Sequence, residues 1–268
     1  MVAGRCDREG AAIGPFVAVL ELLAPVRCLA CRRRGTSLDG VWCGRCARDL
    51  PLAASPACPR CAGPRTVGHG CWPADAPIVS TVAVADYRGP VAAAVVAAKL
   101  SGAHAAWPAL GTRLADRVAR ARPAADVVTW VATGADRVRR RGVDHAAVLA
   151  DQVARATGLP QLALLTAVRS GGRERQHAVR PLPGTVVLLV DDVLTTGRTA
   201  VGAAEALLAA GAGAVHLAVL ARAGDHPLVG AVDPAGARDE GRLPTGAEGR
   251  RRAEPDDPRA SGHRPRGV

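Results

Sequence analysis

The sequence predicts an α/β fold, a parallel sheet with flanking helices, preceded by a small cysteine-rich module. Three observations carry this. From about Ile78 to about Leu228, short Val/Leu runs alternate with Ala-rich stretches of helical spacing. All eight cysteines lie between Cys6 and Cys71. Ala237–Val268 then turns to Arg, Asp, Glu, Pro and Gly without periodicity, which predicts a disordered tail. A chain of 268 residues is long enough for one medium core and a satellite. The expected division is an N-terminal amphipathic segment at 1–25, the cysteine module at 26–77, the α/β domain at 78–228 and the tail at 237–268.

The α/β region opens with a strand at Ile78–Ala85 and helices at Val91–Leu100 and Leu110–Arg122. Asp126–Ala132 reads as a buried strand and Asp144–Thr157 as a helix. A short strand is expected near Leu162–Leu165, then a Gly/Arg loop over Arg169–Arg180. Val186–Val190 is a second buried strand, Thr199–Ala210 a helix and Ala214–Leu220 a third buried strand. Near-continuous apolar strands joined through helices imply a parallel sheet covered on both faces. Ligands on such sheets sit beyond the carboxyl ends of the strands.

Six cysteines form three C-x-x-C pairs, a spacing that suits metal chelation better than a disulfide framework. Cys28, Cys31, Cys43 and Cys46 form two knuckles eleven residues apart, enough for a tetrahedral Zn²⁺ site. Cys58 and Cys61, with His69 and Cys71, offer a Cys₃His set; the alternative is a decayed site whose thiols pack. Zinc in such ribbons is structural. Cys6 has no partner in the pattern. Arg32–Arg34, Arg45, Arg48 and Trp42 could serve phosphate contact and base stacking; a structural lid or dimer contact is the other reading. Thiolate ligands imply a reducing compartment. Ile13–Leu23 is apolar but holds Pro15 and Glu21, and is too short to span a bilayer. The cytoplasm is the expected location, without membrane insertion. The net charge of +11 favours phosphate-bearing partners, although a GC-rich coding bias would also produce an arginine excess.

The most informative segment is Val186-Val187-Leu188-Leu189-Val190-Asp191-Asp192-Val193-Leu194-Thr195-Thr196-Gly197-Arg198-Thr199. An apolar strand ends in two acids, and a Thr/Gly loop opens a helix. Backbone N–H groups, hydroxyls and a helix start form an anion cradle. Two carboxylates beside a phosphate call for hydroxyls or a hydrated Mg²⁺ as their partners. This string resembles the signature of the type I phosphoribosyltransferases. The resemblance implies that Asp191 and Asp192 contact the ribose 2′ and 3′ hydroxyls. It also implies that Thr195, Thr196, Gly197, Arg198 and Thr199 hold the 5′-phosphate of phosphoribosyl pyrophosphate.

In that fold pyrophosphate is held by a loop after the first core strand. Here Ala132 leads into Thr133-Gly134-Ala135-Asp136, small enough to wrap a phosphate, so Thr133 and Gly134 are candidate ligands. The arginines in Arg137–Gly142 either neutralise that charge or form a solvated basic face. Together with the cysteine module, the chain resembles the ComF family, an amidophosphoribosyltransferase-like group linked to DNA uptake in competent bacteria. Tyr87-Arg88-Gly89 followed by Lys99 matches its Y-x-G…K element. Arg139–His145 stands where the family has an R-R-G-F-N-Q-like string, with Val143, Asp144 and His145 replacing the aromatic and amide residues. Arg173-Glu174-Arg175-Gln176-His177 resembles a shortened form of the mobile hood that excludes water from C1′.

These resemblances imply binding of phosphoribosyl pyrophosphate with Mg²⁺ and transfer of the phosphoribosyl group to a nitrogen acceptor. The alternative is an accessory protein that handles single-stranded DNA in competence, with a sensory or relic phosphoribosyl site. Single-stranded DNA, competence proteins and a second copy of the chain are the expected macromolecular partners. A metabolite-responsive regulator is a third reading, without a visible helix-turn-helix. His104, His145, His177 and His216 are isolated in the sequence and read as surface or packing residues.

Overall fold

The computed structural model describes residues 27–34, 40–53, 55–66, 69–100, 103–170, 173–224 and 228. The expected N-terminal helix at Ile13–Leu23, Cys6 and the tail at Ala237–Val268 lie outside the described residues. Among the described residues, no helix is long and apolar enough to cross a membrane.

The elements follow the strand–helix rhythm. After a short helix α1 (Gly44–Arg48) come β1 (Ser80–Asp86), α2 (Gly89–Leu100), α3 (Trp107–Ala121) and β2 (Val127–Trp130). Then follow α4 (Ala135–Arg141), α5 (His145–Thr157) and the strands β3 (Leu165–Ser170) and β4 (Arg173–Ala178). The chain continues through β5 (Val186–Leu194), α6 (Arg198–Ala209) and β6 (Ala214–Arg222). A four-stranded sheet has the order β1-β6-β5-β2, and every pairing in it is parallel.

Both sheet faces are covered, as buried parallel strands require. Along β5, Leu188 and Val190 join a core with α2, α3 and α5, whereas Val187 and Leu189 join a second core under α6. The two-residue period of a strand divides one apolar run between two layers.

Three expectations are corrected. Arg169–Arg180 is an antiparallel hairpin in which Leu165–Ser170 pairs with Arg173–Ala178, and the strand expected near Leu162–Leu165 starts at Leu165 instead. The hairpin's polar sequence hid it, because one of its faces packs on no apolar layer. β5 does not end at Val190; it continues through both acids, since β6 pairs with it as far as Leu194↔Arg222. Ala135 and Asp136, expected in a phosphate-wrapping loop, form the first turn of α4.

The cysteine module clasps the β1 edge. Between its halves, Ala53 N–H donates to the Val84 carbonyl (2.9 Å) and Asp86 N–H to the Pro51 carbonyl (2.8 Å). The linker thereby pairs an edge that would otherwise invite another strand. Each half then inserts one tryptophan, Trp42 into the α2/α3 core and Trp72 into the α6 core, where they are 2% and 3% exposed. Trp42 Nε1 donates to the Pro90 carbonyl (3.1 Å), and Trp72 Nε1 to Thr81 Oγ1 (3.0 Å). Truncating a buried tryptophan costs about 3–5 kcal/mol. Trp42 is therefore committed to the interior, which leaves no face for base stacking, one of the two readings from sequence, and agrees with a structural role.

Candidate functional site

The two cysteine sets are built alike. Cys28 N–H donates to the Arg33 carbonyl and Arg32 N–H to the Cys28 carbonyl; Cys58 N–H to Gly63 and Ala62 N–H to Cys58 repeat the pattern. In both knuckles the residue after the second cysteine is left-handed, Arg32 at φ 61° and Ala62 at φ 58°. That conformation costs a non-glycine residue about 1–2 kcal/mol, which two parallel knuckles accept for the sake of ligand geometry.

The ligand atoms of Cys28, Cys31, Cys43 and Cys46 lie within 4.8 Å of one another, as do those of Cys58, Cys61, His69 and Cys71. Burial raises the Cys28 thiol, but N–H groups of Cys31, Cys43 and Ala30 outweigh it and bring it down to about 6. Cys58 is likewise opposed by burial, yet the N–H of Cys61 and the His69 ring bring it to about 6. His69 Nδ1 hydrogen-bonds the Thr66 carbonyl (2.9 Å), which leaves its buried Nε2 as the ligand atom, without a partner among the described residues. A ring fixed through one nitrogen and offering the other is the usual arrangement of a metal-bound histidine. Both donor sets fit structural zinc, Cys₄ in the first knuckle pair and Cys₃His in the second.

The second feature is the end of β5. Asp191, Leu194, Thr195, Gly197, Arg198 and Thr199 line one small concavity. Gly197 caps α6 at φ +83°, a conformation suited to glycine, and the first N–H groups of α6 open into this space. Asp192 Oδ2 lies 2.8 Å from Lys99 Nζ, on the last turn of α2. Burial, then the neighbouring Asp192 charge, push Asp191 up to about 7, against the Asp192 N–H donated to its Oδ1 at 2.8 Å.

Beyond β2, Ala132 and Gly134 face the hairpin. Gln176 makes a reciprocal pair with Ala132: it accepts from the Ala132 N–H and donates to the Ala132 carbonyl, each at 3.0 Å. A Cβ on Gly134 would lie 2.6 Å from Glu174 Oε1, so a larger residue there would push the Glu174 carboxylate aside. Arg137 pairs with Glu174 and Arg139 with Asp136, while Arg140 and Arg169 line a larger cavity beside them. Asp144 accepts from Trp130 Nε1 (3.2 Å) and from Thr133 Oγ1 (3.3 Å), and its charge also reaches Asp191. Asp144 thus ties Thr133 to Trp130 across the β2 loop. The histidines are less isolated than their spacing suggests: His145 is buried and stacks on Trp107 at 4.3 Å, with His104 at 6.0 Å. His216 bonds Ser80 Oγ at 2.7 Å.

Comparison with known proteins meets this geometry. Residues 19–75 match the double zinc ribbon domain, and residues 138–229 match the phosphoribosyl transferase domain. The "DNA utilization protein YhgH" of Salmonella typhi is 28% identical over 227 residues, covering 75% of this chain and 99% of that protein. The chain is a ComF-like protein. The double-ribbon match contains both Trp42 and Trp72, and each is buried in one of the two cores of the sheet. Among solved structures, the glutamine phosphoribosylpyrophosphate amidotransferase of B. subtilis is 30% identical, with a TM-score of 0.33, over 42% of this chain and 26% of that one. A purine phosphoribosyltransferase from Pyrococcus horikoshii is 21% identical, with a TM-score of 0.34, over 46% and 78%.

Sequence reasoning placed Lys99 in the Y-x-G…K element and Gln176 in the hood string, without the contacts that each makes with Asp192 and Ala132. Trp72 was missed, because it acts through contacts with segments distant in sequence.

Proposed function

We propose that this chain binds phosphoribosyl pyrophosphate together with Mg²⁺ at the end of β5. The observation that carries the reading is the juxtaposition of two carboxylates with an open helix start: Asp191 and the Thr195–Thr199 loop share one concavity. The N–H groups of α6 and the hydroxyls of Thr195, Thr196 and Thr199 would take the 5′-phosphate. Asp191 and Asp192 would accept hydrogen bonds from the ribose hydroxyls. Thr133 and Gly134 would face the pyrophosphate, with Arg140 and Arg169 near its charge. Mg²⁺, when bound, would neutralise the leaving pyrophosphate.

If the chain transfers the group, a nitrogen lone pair forms a bond to C1′ as the C1′–O bond to pyrophosphate breaks. The chain's own residues contribute positioning and charge complementarity rather than a covalent intermediate. Gln176, by docking the hairpin on Ala132, would keep water from that face. Calorimetry with phosphoribosyl pyrophosphate and Mg²⁺ tests the binding step: wild type is expected to bind and Asp191→Ala/Asp192→Ala to give no heat. Silence from wild type overturns the reading. Pyrophosphate release across amine and nucleobase acceptors tests the transfer.

A second reading, contact with single-stranded DNA, is favoured by the exposed arginines Arg27, Arg32, Arg33, Arg34, Arg45 and Arg48 on the first knuckle. The name of the Salmonella relative agrees with it. Without Trp42 available for stacking, such binding would be electrostatic and fall steeply with salt. No binding at low salt removes it.

A further inference from the structure

We propose that Trp72 is a positioning residue for the phosphate loop, so that the second cysteine knuckle, by holding Trp72, sets the geometry of Thr195–Thr199. Its ligand consequence rests on the reading above; the structural coupling does not.

Gly197 is where the loop turns into α6, and it has no side chain with which to anchor itself. Its left-handed conformation is one that glycine enters and leaves freely. What confines it is the Trp72 indole: a Cβ on Gly197 would lie 2.4 Å from two atoms of that ring. The ring is in turn fixed from three directions. Cys71, a ligand of the second set, precedes it directly. Its Nε1 donates to Thr81 Oγ1 (3.0 Å), and Thr81 Oγ1 donates to the Arg60 carbonyl (2.7 Å), inside the knuckle. The Arg60 guanidinium returns to the Trp72 and Pro73 carbonyls at 3.4 and 2.9 Å.

The other flank of the loop is tied to the same knuckle. Arg222, paired in register with Leu194 at the loop's start, is buried and donates to the Gly70 carbonyl at 2.6 Å. Its guanidinium lies so close to Gly63 that a Cβ there would meet it at 3.1 Å. Knuckle, indole and loop therefore form one packed stack, and close packing transmits a displacement rather than absorbing it. An anion site made of backbone N–H groups depends on such support, because its donors must already point at the ligand.

Backbone hydrogen exchange of the full-length, zinc-loaded chain tests the coupling without a ligand. Trp72→Ala is expected to speed exchange across 195–199 by about ten-fold, while Leu188–Val190 in β5 stay slow. Trp72→Phe, which keeps a ring but loses Nε1 and the far edge that meets Gly197, is expected to lie between wild type and Trp72→Ala. Cys58→Ser in the second knuckle is expected to reproduce the change, and Cys28→Ser in the first is not. Unchanged loop exchange in Trp72→Ala, or equal acceleration by both cysteine variants, overturns the proposal. Should Trp72→Ala lose the fold, Trp72→Leu takes its place.

Calorimetry with phosphoribosyl pyrophosphate and Mg²⁺ then reads the consequence. Affinity is expected to fall about ten-fold or more in Trp72→Ala and by less in Trp72→Phe. Equal affinities in wild type and Trp72→Ala overturn it. No binding by wild type overturns the ligand reading alone, and the exchange data then decide the coupling.

Discussion

Lys99 Nζ sits 2.8 Å from Asp192 Oδ2, so the chain's sole lysine is paired with one of the two acids at the end of β5. Every other basic side chain that is fixed in charge is an arginine, with a longer planar head. Lysine offers a compact charge at the end of a slender stem, which suits a partly enclosed acid.

Removing that charge is expected to favour the proton on Asp191. Lys99 lowers the proton affinity of Asp191 across Asp192, so Lys99→Met is expected to move Asp191 further upward. Affinity for phosphoribosyl pyrophosphate near neutrality should drop about ten-fold and recover partly at higher pH, a pattern that a loss of folding alone would not give. Calorimetry across a pH series reads it; a uniform loss at every pH would count against it.

Asp191 makes ligand binding and stability depend on pH in opposite senses. Burial and the adjacent Asp192 charge raise it to about 7 in the folded chain, well above a free carboxyl. Between about 4 and 7 the folded chain keeps a proton that the unfolded chain has lost, so this group's contribution to stability falls as pH rises. A ligand that needs the carboxylate must displace the proton. Binding is expected to tighten as pH rises through 7 and to release protons, seen as heats that vary with the buffer. Buffer-independent heats would refute this.

The Gln176–Ala132 pair predicts a cost that is local and measurable. Gln176→Leu removes both partners of a backbone N–H and C=O at once. Leaving such groups unpaired costs about 1–3 kcal/mol each when water cannot replace the amide. The partly buried position places the expected loss in denaturant unfolding at about 1–3 kcal/mol in total, with faster exchange in both hairpin strands. An unchanged midpoint would show that water fills the gap.

How much of this was legible follows from the range of the interactions. β1, β5 and β6 could be read because their apolar runs are buried on both faces, so every position reports the same environment. The ribbon could be read because zinc ligation demands fixed spacings, and Cys28–Cys31, Cys43–Cys46 and Cys58–Cys61 keep them. The β3–β4 hairpin could not: Arg173, Glu174, Arg175, Gln176 and His177 show no apolar alternation, and the strand exists through its ladder with Leu165–Ser170. The candidate site divides in the same way. Asp191 to Thr199 is one contiguous string, whereas Lys99, Asp144, Gln176 and Trp72 reach it from four separate stretches. Trp42 misled because an aromatic among arginines suggests an exposed platform, and only its socket under α2 and α3 shows otherwise.

The Pro51–Ala53 linker bears on how such a protein could have been assembled in evolution. Two recognisable modules lie end to end in the sequence, which suggests parts that recombination could exchange. The linker's bonds to Val84 and Asp86, and a tryptophan socket on each side of the sheet, mean that neither part arrives complete. A chain beginning at Ile78 would carry a bare strand edge and two holes, and a ribbon grafted elsewhere would carry two indoles without a home. Recombination at this junction would have to bring both surfaces together, so descent as a single unit is the easier history.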